Sequence, residues 1–229
     1  MYKLWMFDFD NTIARLEPVV DWPGARKILE PYLRSVGAPD ELFEKFPRRN
    51  LPLYDAYRTL TLADPNRAQV QERLRRASEI IESAELAGVD RAEPLDGAIE
   101  LLAALKAGGA ALAIVTSNSS KTVRRWFGRH PGASIDAVVG CDSLLGLKPA
   151  PDMLNRALEM FSVEPSDAAY VGDTEGDVRA ANNCGIRFYG IAATDDSRDL
   201  LQKAGASEIF ASPAELAIHL GLPVSNQSR

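Results

Sequence analysis

Residues 2–12, YKLWMFDFDNT, are the stretch from which the rest of this chain is best read. Residues 2–9 (YKLWMFDF) predict a short apolar strand that ends in acidic residues. Asp8 and Asp10 therefore stand where a strand gives way to a loop, with Asn11 and Thr12 just beyond.

Working outward, the character changes at once. From about Arg15 to Gly88 the pattern is helical, with no good strand. Residues 24–36 (GARKILEPYLRSV) carry Ile28, Leu29, Tyr32, Leu33 and Val36 at helical spacing, and Pro31 is expected to split or kink that helix. Residues 66–87 form a long, charge-rich helical run with Val70, Leu74, Ala77, Ile80, Ile81 and Ala84 on one face. From Glu93 on, helices and strands alternate. A helix at 97–107 precedes a strand at 111–115, a helix at 119–128 a strand at 136–140, and a helix at 151–161 a strand at 168–171. A helix at 176–184 then leads to a strand at 186–191. Such alternation marks an α/β fold, an open parallel sheet with helices on both faces. The first strand stands apart from the others, so residues 15–88 read as a helical insert in a core of residues 1–14 and 89–229. The stretch 223–229 (PVSNQSR) reads as a frayed tail.

Composition narrows the function classes. Hydrophobic residues at 46% and charged residues at 25% are globular usage, and 229 residues can bury a full core without staples. The formal net charge of −6 gives no support to a nucleic-acid or anionic-membrane surface, which would want a basic excess. Residues 15–88 hold 12 basic and 12 acidic side chains, which leaves the whole acidic excess on the core. Cys141 and Cys184 lie at no metal or redox spacing and predict two buried thiols in a reducing cytoplasm. No signal-peptide pattern opens the chain, and no apolar run approaches the roughly 20 residues that span a bilayer. A soluble cytoplasmic protein is expected.

Four short segments end a predicted strand or follow one: Asp8 to Thr12, Thr116-Ser117-Asn118, Lys148-Pro149, and Gly172 to Asp177. The carboxyl ends of parallel strands share one edge, where ligands bind, so the four converge. Their chemistry is complementary. A carboxylate can attack a phosphoryl group and form an acyl phosphate that water then hydrolyses. Attack by an anion on an anionic phosphate needs intervening positive charge. A hard cation such as Mg²⁺ supplies it through oxygen ligands, here Asp8, Asp173 and the main-chain carbonyl of Asp10. Lys148 adds an ammonium that can bond both phosphate and Asp8. The Thr116 hydroxyl and the N–H groups after it can hold phosphate oxygens. Asp10 can protonate the leaving oxygen and then deprotonate the attacking water.

In order and spacing these segments resemble the haloacid dehalogenase-like superfamily. Its first motif, Asp-x-Asp-x-Thr, stands here as Asp8, Asp10 and Thr12, and its second, a Thr or Ser after an apolar strand, as Thr116. The third is Lys148-Pro149, and the fourth, Gly-Asp-x-x-x-Asp, is Gly172, Asp173 and Asp177. Pro94-Leu95-Asp96-Gly97 and Ala180-Ala181 followed by Gly185-Ile186 extend the likeness over nearly the whole chain. The resemblance implies a Rossmann-like core with an all-helical cap domain at residues 15–88 that closes over the site. It also implies Asp8 as nucleophile, with Asp10 and Lys148 as the other catalytic groups. Thr116, Ser117, Asn118 and Lys148 would bind phosphate, and Asp8, Asp10, Asp173 and Asp177 would hold Mg²⁺. Asp177 can instead position Lys148 or a metal-bound water. By layout and its small cap the chain looks most like phosphoglycolate phosphatase-type members.

Each of these residues also has an ordinary alternative. Isolated aspartates cap helices, and a lone lysine is a solvated charge. Thr12 could serve only as a turn hydroxyl. Asn11 replaces the Gly common at its position but tolerates the same turn. In the insert, Arg48, Arg49, Tyr54 and Tyr57 are candidate substrate contacts, with surface charge and packing as the plainer roles. Arg15 follows the first motif closely, but exposure accounts for it equally well. His130 and His219 have no partners at ligand spacing, and Trp5, Trp22 and Trp126 read as packing.

Asp10 argues against carbon dehalogenation, which does not need it, and, with Lys27, Lys45 and Lys106 the only lysines between the first two motifs, its presence also argues against phosphonate cleavage, whose enzymes replace it. Hydrolysis of a small phosphate monoester is the expected reaction, on a phosphoglycolate-like, sugar-phosphate or nucleotide substrate. Two alternatives are a sugar-phosphate mutase and a non-catalytic binding or regulatory module. The partner expected is a small phosphorylated metabolite rather than a nucleic acid or a membrane, with the chain a monomer or homodimer.

Overall fold

The computed structural model describes residues 2–223. Except for Pro223, the predicted frayed tail lies outside the described residues. The first strand, β1 (Leu4–Phe7), is buried along its whole length. It is followed by four helices, α1 (Trp22–Ser35), α2 (Asp40–Lys45), α3 (Asn50–Thr61) and α4 (Arg67–Gly88). The alternating part comprises α5 (Ala98–Ala107), β2 (Ala111–Val115), α6 (Ser120–Arg129), β3 (Ala137–Val139), α7 (Asp152–Phe161), β4 (Ala168–Gly172), α8 (Glu175–Cys184) and β5 (Arg187–Ile191). Then come α9 (Asp195–Lys203), β6 (Ile209–Phe210) and α10 (Pro213–His219).

The six strands form one parallel sheet in the order β3-β2-β1-β4-β5-β6. β1 pairs with β2 from Leu4↔Ala111 to Phe7↔Ile114 and with β4 from Leu4↔Ala168 to Phe7↔Val171. Side chains on a strand alternate between faces, so Leu4 and Met6 join one apolar cluster while Trp5 and Phe7 join the other. Both faces are covered, which is why this strand is a continuous apolar run rather than an alternating one. The order reverses between β1 and β4. That crevice is the topological switch point, where open α/β sheets bind ligands.

The chain leaves the core for α1–α4 and returns along neighbouring segments. Ala14 bridges to Pro94, Arg15 N–H donates to Glu93 O at 2.9 Å, and Leu95 N–H to Ile13 O at 2.8 Å. The four helices pack chiefly through α1 and α3 on α4, and α4 reaches α6. Their apolar face is continuous with the core cluster that holds Cys141, Leu147 and Tyr170.

Several expectations need correction. The helix runs through Pro31 without a break, because Pro31 and Lys27 lie on the exposed face. Water there can meet the carbonyl that loses its intrahelical partner. Ile28, although at helical spacing with the other apolar residues, is 61% exposed. Of the two thiols, Cys141 is buried but Cys184 only half-buried, and both are free. No element was predicted beyond residue 191. β6 has two residues, too short for a periodic signal. The caps Thr194 and Ser212 of α9 and α10 were the available clues. No helix among the described residues is long and apolar enough to cross a membrane.

Candidate active site

At the end of β1 the ladder continues one residue, with Asp8 N–H donating to Val171 O at 2.8 Å, and this fixes Asp8 at the switch point. Asn11 then turns with φ +56°, a left-handed conformation that Asn tolerates better than most residues. The turn returns the chain so that Leu16 and Glu17 N–H donate to Asp10 Oδ1 at 2.9 and 3.0 Å. Thr12 is fully buried, and its hydroxyl lies 3.4 Å from Asp173 Oδ1.

Lys148 reaches the same point from the loop before α7. Its Nζ is 2.7 Å from Asp8 Oδ1 and 2.5 Å from Asp177 Oδ1, and it donates to the Tyr170 hydroxyl at 2.8 Å. Tyr170 in turn has Asp177 Oδ1 at 2.7 Å and the Val115 carbonyl at 3.1 Å. Asp177 sits in the first turn of α8, where Thr174 forms a reciprocal capping box with it. Both its oxygens are thus engaged, Oδ1 by Lys148 and Tyr170 and Oδ2 by the Thr174 N–H and hydroxyl.

The charges follow from this crowding. Burial pushes the Asp8 and Asp173 carboxyls up, and neighbouring acids add to it, although Lys148 opposes both. Burial likewise raises Asp10, to about 6, against the two N–H donors that favour its ionised form. Burial works against the Lys148 ammonium, but Asp177 and Asp8 overcome it and hold it above the usual lysine range. Asp177 is also opposed by burial, and Lys148, Thr174 and Tyr170 keep it below the usual carboxylate range.

Asp8, Asp173 and Asp177 each place a carboxylate oxygen within 4.8 Å of the others. Asp8 Oδ1 is buried, and among the described residues no aligned hydrogen bond reaches it despite the nearby ammonium. A cluster of oxygen donors with one lysine against it suits a hard divalent cation.

Thr116, fully buried after β2, donates its hydroxyl to Asn118 Oδ1 at 2.9 Å and accepts from Asn118 N–H at 3.2 Å. The N–H groups of Ser119 and Ser120 are taken by Glu85 Oε2 and Asp142 Oδ1. The start of α6 is therefore satisfied by the chain's own groups.

A cavity of about 890 Å³ opens over these residues. Asp8, Asp10, Thr116, Ser117, Asn118, Lys148 and Asp173 all line it. Arg49 stands on the wall contributed by the helices, beside Phe46, Leu51 and Pro52, whereas Arg48 is exposed and does not line it. Tyr54 and Tyr57 are packing residues, with hydroxyls donated to the carbonyls of Cys141 and Val36. Sequence reasoning missed Tyr170, Glu85 and Asp55, which accepts from Leu147 N–H at 3.1 Å and so braces the loop that carries Lys148. A hydroxyl-bearing Tyr in a fully buried strand was the one available signal.

A family profile described as haloacid dehalogenase-like hydrolase matches residues 5–191. A phosphoglycolate phosphatase of Vibrio vulnificus is 37% identical over 94 residues, which cover 40% of this chain and 41% of that protein. Another from Rhodospirillum rubrum is 34% identical over 56% of this chain and 53% of its own length, so the chain spans about half the length of these two relatives. The crystal structure of a putative phosphoglycolate phosphatase from Lactobacillus delbrueckii subsp. bulgaricus shares the fold, with a TM-score of 0.64 at 23% identity over 96% of this chain and 98% of that one. With the profile running from β1 through β5 and over all four motifs, the chain belongs to the haloacid dehalogenase-like hydrolases.

Proposed function

We propose that this chain is a magnesium-dependent phosphatase that hydrolyses a small phosphate monoester through an aspartyl-phosphate on Asp8. One observation carries the proposal: Asp8, with a buried oxygen free of aligned hydrogen bonds, sits 2.7 Å from the Lys148 ammonium and within the Asp173–Asp177 cluster. The relatives named as phosphoglycolate phosphatases support phosphate chemistry.

An Asp8 oxygen attacks phosphorus while the ester P–O bond breaks, and Asp10 gives its proton to the departing alkoxide. Asp10, then a carboxylate, takes a proton from water whose oxygen attacks the same phosphorus. The Asp8–phosphorus bond breaks, phosphate leaves, and the Asp8 carboxylate is restored. Lys148 stays charged throughout and holds the phosphoryl oxygens with Ser117 and with Thr116 and Asn118, which exchange their mutual hydrogen bonds for bonds to phosphate. Asp8, Asp173 and the Asp10 carbonyl would hold Mg²⁺, with Asp177 behind them, and the ion would supply the charge that lets an anion approach an anion.

Residues 15–88 act as a cap that excludes water, with Arg49 the cap residue that meets substrate. The substrate is a phosphorylated metabolite, phosphoglycolate-like, a sugar phosphate or a nucleotide, and neither nucleic acid nor membrane is a partner. Two unpaired thiols fit a reducing cytoplasm, and the chain works as a monomer or homodimer.

A screen over phosphorylated metabolites tests this. Free phosphate should be released with Mg²⁺, fall to background with chelator, and vanish in Asp8→Asn. Turnover retained in Asp8→Asn would falsify the nucleophile. Isomer formation without phosphate release would replace hydrolysis by mutase chemistry.

A further inference from the structure

Glu85 lies on α4, outside the hydrolytic steps, yet it is completely buried. A buried carboxyl is costly unless hydrogen-bonded, and Glu85 spends both oxygens on one loop of the core. Oε1 accepts from Asn118 Nδ2 at 2.8 Å and Oε2 from Ser119 N–H at 2.9 Å. The carboxylate can only accept, so the Asn118 amide must turn its nitrogen toward Glu85. Its oxygen then faces Thr116 and receives that hydroxyl's proton at 2.9 Å.

We infer that Glu85 is a positioning residue, supplied by the helical insert, which orients the phosphate-binding loop through Asn118 and Ser119. The inference rests on the phosphatase reading of that loop and adds a residue to it. The phosphate grip is complete only while α4 is seated on α6. Closure of the insert and affinity for phosphate are then coupled through one carboxylate.

The molecule contains its own control. Glu82, one turn earlier on α4, bonds the Ser119 hydroxyl at 2.5 Å and Lys121 Nζ at 2.7 Å. It ties the same two elements together without touching Asn118. A merely structural tie predicts similar consequences for both glutamates, whereas positioning predicts a difference.

The test is steady-state kinetics on para-nitrophenyl phosphate with Mg²⁺, with inorganic phosphate as competitive inhibitor and thermal unfolding alongside. Glu85→Ala should raise KM and the phosphate inhibition constant by about tenfold, or about 1.4 kcal/mol of binding, with kcat nearly unchanged. Glu85→Gln should fall between, because its single carbonyl oxygen can satisfy only one of the two donors. Glu82→Ala should leave KM near the wild-type value. In an Asn118→Ala background, Glu85→Ala should add nothing further. Equal rises in KM for the Glu82 and Glu85 variants, or additivity with Asn118→Ala, overturn the inference. If Glu85→Ala does not fold, wild-type KM in Glu85→Gln overturns it. Wild-type turnover with unchanged KM in Glu85→Gln removes this inference alone, whereas a wild type that hydrolyses no ester removes the phosphatase reading with it.

Discussion

Around the Lys148 ammonium, three oxygens from two strands and a helix compete: Asp8, Asp177 and the Tyr170 hydroxyl. Tyr170→Phe removes the middle contact and leaves Asp177 and the Val115 carbonyl one donor short. Unfolding free energy should drop by about 1–3 kcal/mol in urea titration, and activity should fall with it. Asp10→Asn takes away the proposed proton donor, so kcat should fall by about 10²–10⁴ on alkyl esters. On para-nitrophenyl phosphate, whose leaving group needs no proton, the loss should fall on the second step alone, visible as a burst of para-nitrophenol before slow turnover. Glu85 predicts a pH effect. Burial raises its carboxyl from 4.5 to about 7, so between those values the folded state binds the proton that the unfolded state has lost. Stability therefore falls as pH rises through that window, by up to about 3 kcal/mol, and is flat above it. Urea midpoints at pH 5 and pH 8 should differ through this group in wild type, and Glu85→Gln should remove that part of the difference. Neither Glu85 nor Tyr170 belongs to a motif, and each acts through neighbours distant in sequence. Asp8, Asp10, Thr116, Lys148, Asp173 and Asp177 were legible because they stand at fixed distances from strand ends.

Among the elements, α8 joins stability to function most directly. Its cap, Thr174, accepts from Asp177 N–H while Asp177 accepts from Thr174. Thr174→Ala should lower unfolding free energy by about 1 kcal/mol. It should also depress turnover, because Asp177 then holds Lys148 less firmly; unchanged turnover would mean Asp177 needs no such support. The sheet's central strands were legible as apolar runs, and α4 was legible from its stripe. The edge strand β6 was not, since two residues carry no period and only pairing with Gly190 and Ile191 makes them a strand. Pro31 failed as a helix breaker because propensity penalties depend on which side of the helix faces water.

For the molecule as a whole, the acidic excess lies on the core, where three of its carboxylates meet one ammonium. Mg²⁺, in the proposed reading held by the folded state alone, should relieve the mutual repulsion there. At 100 times its dissociation constant the ion should add about 2.7 kcal/mol of stability, visible as a rise in melting temperature of several degrees. Asp173→Asn should abolish that rise, and chelator should reverse it in wild type. A melting temperature indifferent to Mg²⁺ would count against the metal site. The helices outside the sheet are bound to it by Tyr54, Asp55 and Glu85, so the cavity wall and the acid cluster belong to one continuous core.

The amino-acid order alone determined the parallel α/β core and the helical run after the first strand, and it marked the six motif residues as candidates. Strand periodicity and motif spacing are local properties, and one sheet edge gathers every strand end. Only the tertiary structure decided that Arg49 rather than Arg48 lines the cavity, that Tyr170 braces Lys148, and that an acid from α4 reaches the loop after β2. Those outcomes depend on which faces of separate elements are pressed together, and the packing that selects them has no counterpart in the spacing of residues along the chain.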